Sequence, residues 1–401
     1  MHGFIMLVST DLPRLNQLSS SLHCRNPVRV ICYQKVGFQL KTRSGSHDYE
    51  GLSYASSDKP VFMLDLYNLR SVSVDMADES AWVQDGATLG ELYYSIWKKS
   101  NVHGFPAGAC PTVGVGGHIS GGGYGTLMRK YGVSTDNVVD AKIVDVKGKI
   151  VDRKGMGEDL FWAIRGGGGG SFGVILAYKI KLATPMVLIS RNWGLTKDNC
   201  TEMRWIDSVL WWVDFDLGTP PNALQEGSNK DPKFAKRKSD YVQTPLPRDG
   251  LESLWKKLSE NGKVGSACNS YGWKMNEIKE TETAFPHRAG NLYKIQYSVN
   301  WDEPGMEADT NYTNQAKAVH EFMTQFVSKN PRRAYLNYRD IDIGTAKTWS
   351  YEEGKAYGLR YFHTNYERLV DVKTKVVKTK VNPNNIFRNE QSIPPRSPNT
   401  N

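Results

Sequence analysis

The sequence predicts an α+β protein of two domains, and three observations carry that reading. The chain has 401 residues, enough for a large core and for two or three folding units. Short strand patterns and short helix patterns are intermixed along it. Its densest glycine stretch, His103 to Gly125 (HGFPAGACPTVGVGGHISGGGYG), is too varied to be a linker. Glycine at this density lets the backbone bend and press close to a flat ligand. Cys110 lies inside this bed beside Pro111, where a helix interior is disfavoured, so its thiol reads as an attachment point.

Taken in order, Val28–Cys32 and Phe38–Lys41 read as strand fragments. Arg43 to Gly51 (RSGSHDYEG) is a Gly/Ser turn carrying His47. Val61–Leu66 and Ser80–Gln84 read as short strands. Thr88-Leu89-Gly90-Glu91 is a capping box, and the helix it opens places Leu89, Leu92, Tyr93, Ile96 and Trp97 on one face. Beyond the glycine bed, Ala141–Val146 and Lys149–Asp152 predict a hairpin turning at Lys147-Gly148. A short helix over Asp159–Arg165 and a strand over Gly173–Leu182 follow. Gly168, Gly170 and Gly173 match the dinucleotide fingerprint in spacing. That fingerprint needs a strand before it and a helix after it, the reverse of the order here. A Rossmann site is therefore excluded, and a loop of backbone N–H groups cradling a pyrophosphate is expected instead.

Residues 186–349 read as a second α+β unit. Thr201–Phe215 and Asn314–Val327 have helical apolar spacing, and Pro220, Pro221, Pro245 and Pro247 mark irregular connections. Leu292–Trp301 is a strand with Tyr293, Ile295, Tyr297, Val299 and Trp301 on one face and Lys294, Gln296 and Ser298 on the other. Taken alone, the second face reads as solvated. Tyr366–Val381 is a basic segment, helical in its first half. In it VKTKV occurs twice in succession, Val372–Val376 and Val377–Val381.

Composition narrows the class. No apolar run is long enough to cross a bilayer, and Met1–Thr10 has a short apolar patch without the context of a cleaved signal. The net charge is +9, part of it between Lys373 and Arg388. The remaining charges are scattered among Asp and Glu with no nucleic-acid motif. The surface reads as solvated, with an acidic polysaccharide or cell wall as the alternative partner. Five cysteines leave at least one outside any internal disulfide. Their spacings do not suit zinc, and no metal is expected. Asn199-Cys200-Thr201 and Asn311-Tyr312-Thr313 are glycosylation sequons if the chain is secreted.

The turn at His47, the run Asp159–Gly170 with Ser171-Phe172-Gly173, and the segments Ala284–Tyr297, Ala334–Gly344 and Phe387–Pro394 resemble the plant berberine-bridge-enzyme-like proteins. These are FAD-linked oxidoreductases of the vanillyl-alcohol-oxidase type. The resemblance implies a two-domain FAD-binding fold with an inserted substrate domain. Residues 1–185 would begin the FAD-binding domain, 186–349 would form the substrate domain, and 350–401 would return to the first. It implies FAD held by two covalent bonds, from His47 to the 8α-methyl and from Cys110 to C6. Ser44, Gly45, Ser46, Gly114, Gly116, Gly117, Gly121, Val113 and Val174 would surround the cofactor. Val113 would admit molecular oxygen, giving an oxidase that releases hydrogen peroxide. Tyr124 and Tyr338 would be the catalytic tyrosine pair, with Tyr49 lining the pocket and Lys294 lowering a phenol pKa. Gln296 cannot titrate, which argues against alkaloid ring closure and for alcohols of the monolignol or carbohydrate type. An extracellular or cell-wall location is implied too.

The chain departs from the family pattern in places. Ser46 stands where the family has glycine. Asp85 stands where it has a small apolar residue, and burying it unpaired is costly. The stretch after Leu182 is short, which exposes strand edges. The second VKTKV unit would rotate whatever follows it. These departures favour a second reading, a catalytically inactive shortened member or a cell-wall-associated protein.

Overall fold

The computed structural model describes residues 5–9, 39–56, 61–185, 187–189, 200–226, 234–377 and 385–396. The strand expected over Val28–Cys32 lies outside them. The short apolar patch at the start of the chain is a strand, β1 (Ile5–Ser9). It runs parallel to β3 (Val61–Asp65), which also pairs in parallel with β2 (Gln39–Arg43), giving the order β1–β3–β2.

A second sheet of five antiparallel strands follows. Its strands are β4 (Val72–Asp75), β5 (Ser80–Gln84), β6 (Val138–Val144), β7 (Ile150–Val151) and β8 (Val174–Lys181), in the order β4–β5–β8–β6–β7. Between β5 and β6 lie α1 (Leu89–Lys99), α2 (Val115–Ser120) and α3 (Met128–Tyr131). The capping box of α1 forms as expected. Glu91 N–H donates to Thr88 Oγ1 at 3.3 Å, and Thr88 N–H donates to Glu91 Oε2 at 2.8 Å. The face carrying Leu89, Leu92, Tyr93 and Ile96 is buried. The helix α4 (Arg153–Ile164) begins earlier than its apolar spacing predicts. Asp152 caps it through Gly155 N–H, and Gly157 interrupts the spiral at φ 78°. Only the turn beyond that kink carries a legible pattern.

The second unit is built on β9 (Val187–Ile189), β10 (Thr201–Met203), α5 (Trp205–Trp212), β11 (Phe234–Val242), α6 (Arg248–Glu260), β12 (Gly265–Ser270), α7 (Lys274–Glu277), β13 (Tyr293–Trp301) and α8 (Met306–Phe322). The helix expected from Thr201 starts only at Trp205, because residues 201–203 pair antiparallel with β9. β13 is the central strand of an antiparallel sheet in the order β11–β13–β12. Ile295, Tyr297 and Val299 on one face of β13 pack with Val242 and with Ala316, Val319 and Met323 from α8 and the turn after it. α8 begins eight residues before the Asn314 expected from the sequence, since its polar first turns have no apolar period.

The chain then returns through α9 (Tyr351–Phe362) and α10 (Tyr366–Val377). The repeated VKTKV unit does not keep the last segment from docking. Phe387 bridges to Leu40, and Ile386 and Phe387 join Leu40, Phe62 and Val174 in one apolar cluster. Gln39 Nε2 donates to the Arg388 carbonyl at 3.0 Å, and Lys41 pairs with Glu390 at 2.9 Å. Buried Lys373 donates to the carbonyls of Phe387 and Ser171, tying α10 to the second glycine run. Among the described residues no helix is long and apolar enough to cross a membrane.

Candidate active site

A cavity of about 680 Å³ lies where the glycine beds meet the face of β13 turned away from α8. Its floor is backbone. Ser44–His47 follow β2, Gly114–Gly117 open α2, and Gly168–Ser171 precede β8. All three turns contribute to the lining. Gly45 and Gly114 are pressed together: a Cβ on Gly45 would strike the Gly114 backbone, and one on Gly114 would strike Ser44 Oγ. Ser44 donates to the Asp85 carbonyl, tying this turn to the end of β5. Ser46 sits at φ 61°, the left-handed region where glycine is at ease and serine is not.

The floor brings the two expected attachment residues together. His47 Nε2 lies 3.0 Å from Thr112 Oγ1, two residues past Cys110, whose thiol is free and exposed. Val113 lines the cavity beside them. Gly117 is open, with nothing within 4 Å of where a Cβ would stand. Gly121 and Val174 do not line the cavity. Gly121 packs against Asn337, and Val174 belongs to the apolar cluster with Leu40 and Phe62, leaving Ile175 to face the cavity.

The opposite wall is aromatic. Tyr124 and Tyr338 hydrogen-bond through their hydroxyls. Tyr335 completes the group, accepting from Gly123 N–H and from Asn337 Nδ2, each at 3.0 Å. Lys294 Nζ stands over the three rings, 3.1 Å from the Tyr124 centroid, 4.1 Å from Tyr338 and 4.6 Å from Tyr335. It is 1% exposed and makes no hydrogen bond, so this face of β13 is not solvated at Lys294. Tyr49 stacks on Tyr338 at 5.5 Å and accepts from Gln296 Nε2 at 3.1 Å, with Arg237 over its other side. Lys294 and Gln296 form a second layer behind the tyrosines that line the cavity. Tyr335 and Arg237 escaped the sequence reading; the alternation of β11, which pairs Arg237 with Ser298, was the available clue.

The electrostatics reverse one expectation. Burial pushes the Tyr124 and Tyr338 phenols above their usual range, although the bond from Tyr338 pulls Tyr124 partly back. Burial also pushes Lys294 far down toward its neutral amine. The lysine lies over ring faces in a dry pocket, so desolvation outweighs any lowering of the phenols by its charge. His118, expected to be structural, lines the cavity. Burial holds it near pKa 4, and its Nε2 accepts from Gly108 N–H at 3.2 Å.

Asp85 is 5% exposed and its Oδ1 has no partner. Its carboxyl faces the Gly116 backbone so closely that a Cβ on Gly116 would collide with it. The unpaired burial that the sequence marked as costly is present.

The fold and this cavity define a two-domain FAD-binding protein of the vanillyl-alcohol-oxidase type. Residues 28–153 match the family model described as FAD binding domain, and residues 334–394 the one described as berberine and berberine like. Berberine bridge enzyme-like 21 of Arabidopsis thaliana is 50% identical over 439 aligned positions, covering 91% of this chain and 80% of that one. The solved structure of BBE-like #28 from Arabidopsis thaliana superposes with a TM-score of 0.84 at 41% identity, covering 94% of this chain and 90% of that one. Phl p 4, a grass pollen allergen with glucose dehydrogenase activity, matches at a TM-score of 0.84 and 37% identity over 91% of this chain and 87% of its own. The chain belongs to the berberine bridge enzyme-like family and is an FAD-linked oxidoreductase. An alignment of 439 positions exceeds 401 residues, so that relative carries stretches this chain lacks.

The residues present fit the cofactor. The glycine beds form a cradle that side chains would fill, and the free Gly117 face is open to it. The one misfit is the Asp85 carboxyl.

Proposed function

We propose that this protein oxidises a small alcohol, of the monolignol or carbohydrate type, with FAD attached through both His47 and Cys110. Molecular oxygen is the acceptor and hydrogen peroxide the product. Bound FAD supplies the hydride acceptor. What carries the reading is that His47, Cys110 and the Tyr124–Tyr338 pair backed by Lys294 all converge on one cavity. The relative with glucose dehydrogenase activity and another structural neighbour, a reticuline dehydrogenase, support the reaction class.

Removing hydride from an alcohol carbon leaves the hydroxyl proton to be taken up. We assign that proton to Tyr124, Tyr338 and Lys294 acting as a set. The resting set holds two protonated phenols and a desolvated amine. A proton passed through the tyrosine hydroxyls makes Lys294 an ammonium over three aromatic faces, where ring quadrupoles favour it. Its titration belongs to the group rather than to one residue. Gln296 holds Tyr49 by a hydrogen bond and cannot itself take a proton. Ser44, Gly45, Ser46, Gly114, Gly116 and Gly117 would cradle the cofactor, and Val113 would leave room for oxygen beside it. The domain division at 185 and 349 and an extracellular or cell-wall site belong to the same reading.

The second reading, an inactive shortened member, is favoured by the orphaned Asp85 and by the internal stretches that the relative has and this chain lacks. The two separate in one experiment. The purified chain is denatured in acid, and yellow colour staying with the protein supports attachment. Peroxide release across alcohols and oligosaccharides then supports turnover. A colourless precipitate rejects attachment.

A further inference from the structure

The cofactor bed contains a titratable group to which the reaction gives no role. Asp85 follows β5 and lines the cavity. Its backbone is fully engaged: its N–H donates to Leu176 in β8, and its carbonyl accepts from Gly116 N–H and from Ser44 Oγ. The side chain is held among these three elements, 5% exposed, with Oδ1 unpartnered. The groups facing it are uncharged. They are the Ser44 hydroxyl from the turn after β2, the Gly116 backbone from α2, and Tyr178 from β8, whose phenol is raised further by the proximity of Asp85. No cation contributes to the state of the carboxyl, and burial alone moves it to about 8.

A neutral carboxylic acid carries an O–H donor that a carboxylate lacks. A dinucleotide brings acceptor oxygens and two negative phosphates into a bed of backbone N–H groups. A second anion buried beside them meets almost no screening. We propose that Asp85 makes loading of the flavin dinucleotide proton-dependent: the protonated carboxyl donates to an oxygen of the cofactor, and ionisation of the carboxyl, its proton going to solvent, opposes binding. This inference rests on the FAD-binding reading of the cavity and adds a role for a residue specific to this chain. Asp85 is a binding and positioning residue here and takes no part in the chemical step.

The test is reversible FAD binding to the full-length flavin-free chain, with His47→Ala and Cys110→Ala in place so that attachment cannot trap the flavin. FAD fluorescence quenching is titrated from pH 6 to 9.5 with Asp85 present and with Asp85→Asn or Asp85→Ala. With Asp85, the Kd should be flat below pH 7.5 and rise about tenfold per pH unit above pH 8, the slope of a one-proton linkage. Asp85→Asn, which keeps an N–H donor without a titrating proton, should bind with a flat profile. Asp85→Ala should be flat as well, and weaker than the parent chain at pH 6 through loss of the donated bond. Parallel profiles in all three chains would overturn the proposal while leaving FAD binding intact. Absence of FAD binding in every chain at every pH would overturn the cofactor reading and the proposal with it.

Discussion

Replacing Asp85 with alanine should make the flavin-free protein more stable, by an amount that depends on pH. The unfolded chain ionises this group near 3.8, whereas burial in the folded chain moves it to about 8. Between those values the folded state holds a proton that the unfolded state has released. Stability therefore falls as pH rises through this window and levels off above pH 8. Each pH unit costs about 1.4 kcal/mol. The penalty is then about 1.5 kcal/mol at pH 5 and about 4 kcal/mol at pH 7, an upper bound because partial relaxation lets water reach the carboxyl. Asp85→Ala removes the slope and leaves a small void, a pH-independent loss of about 1 kcal/mol. Urea denaturation of both chains from pH 4 to 9 reads the difference. It should grow in favour of the variant up to pH 8 and vanish or reverse near pH 4. A difference that stays constant across that range would refute the reasoning, since it would mean that the carboxyl ionises alike in both states.

Lys294→Met should stabilise the protein near neutral pH by about 1–3 kcal/mol while lowering turnover by about 10²–10⁴-fold. The Lys294 pKa is depressed on folding, so the native chain binds fewer protons than the unfolded one below pH 10.5 and gains stability as pH rises; the variant should lose that dependence in thermal melts. Ser46→Gly should gain about 1 kcal/mol by relieving the left-handed backbone at φ 61°, and Ser46→Val should lose at least as much, both read by denaturant midpoint. Gly45→Ala should drive the turn off the Gly114 backbone, costing about 1–3 kcal/mol and the retention of flavin colour on purification.

Much of the fold was legible because the signals were local. The capping box at Thr88, the β6–β7 hairpin and the strand over β13 each announce themselves within about ten residues. Boundaries failed where tertiary pairing or a kink overrode periodicity: residues 201–203 joined β9, and Gly157 split α4. The site was half legible. Alternation along β13 placed Lys294 and Gln296 on one face, but alternation cannot say what covers a face. Tyr124, Tyr335 and Tyr338, distant from β13 in sequence, decide that. The same distance explains why the expected direction of the phenol pKa was reversed: a lysine's charge is visible in sequence, and its desolvation is not. Gly121 was grouped with the bed by proximity in sequence, yet one turn of helix carried it behind the floor against Asn337.

The most direct measurement is mass spectrometry of the purified, protease-digested chain. The account predicts one flavin-bearing species in which the peptides containing His47 and Cys110 are joined through the same FAD. His47→Ala and Cys110→Ala should each leave a single attachment, and the double variant none. Recovery of both peptides at their unmodified masses from protein that still turns over substrate would contradict it.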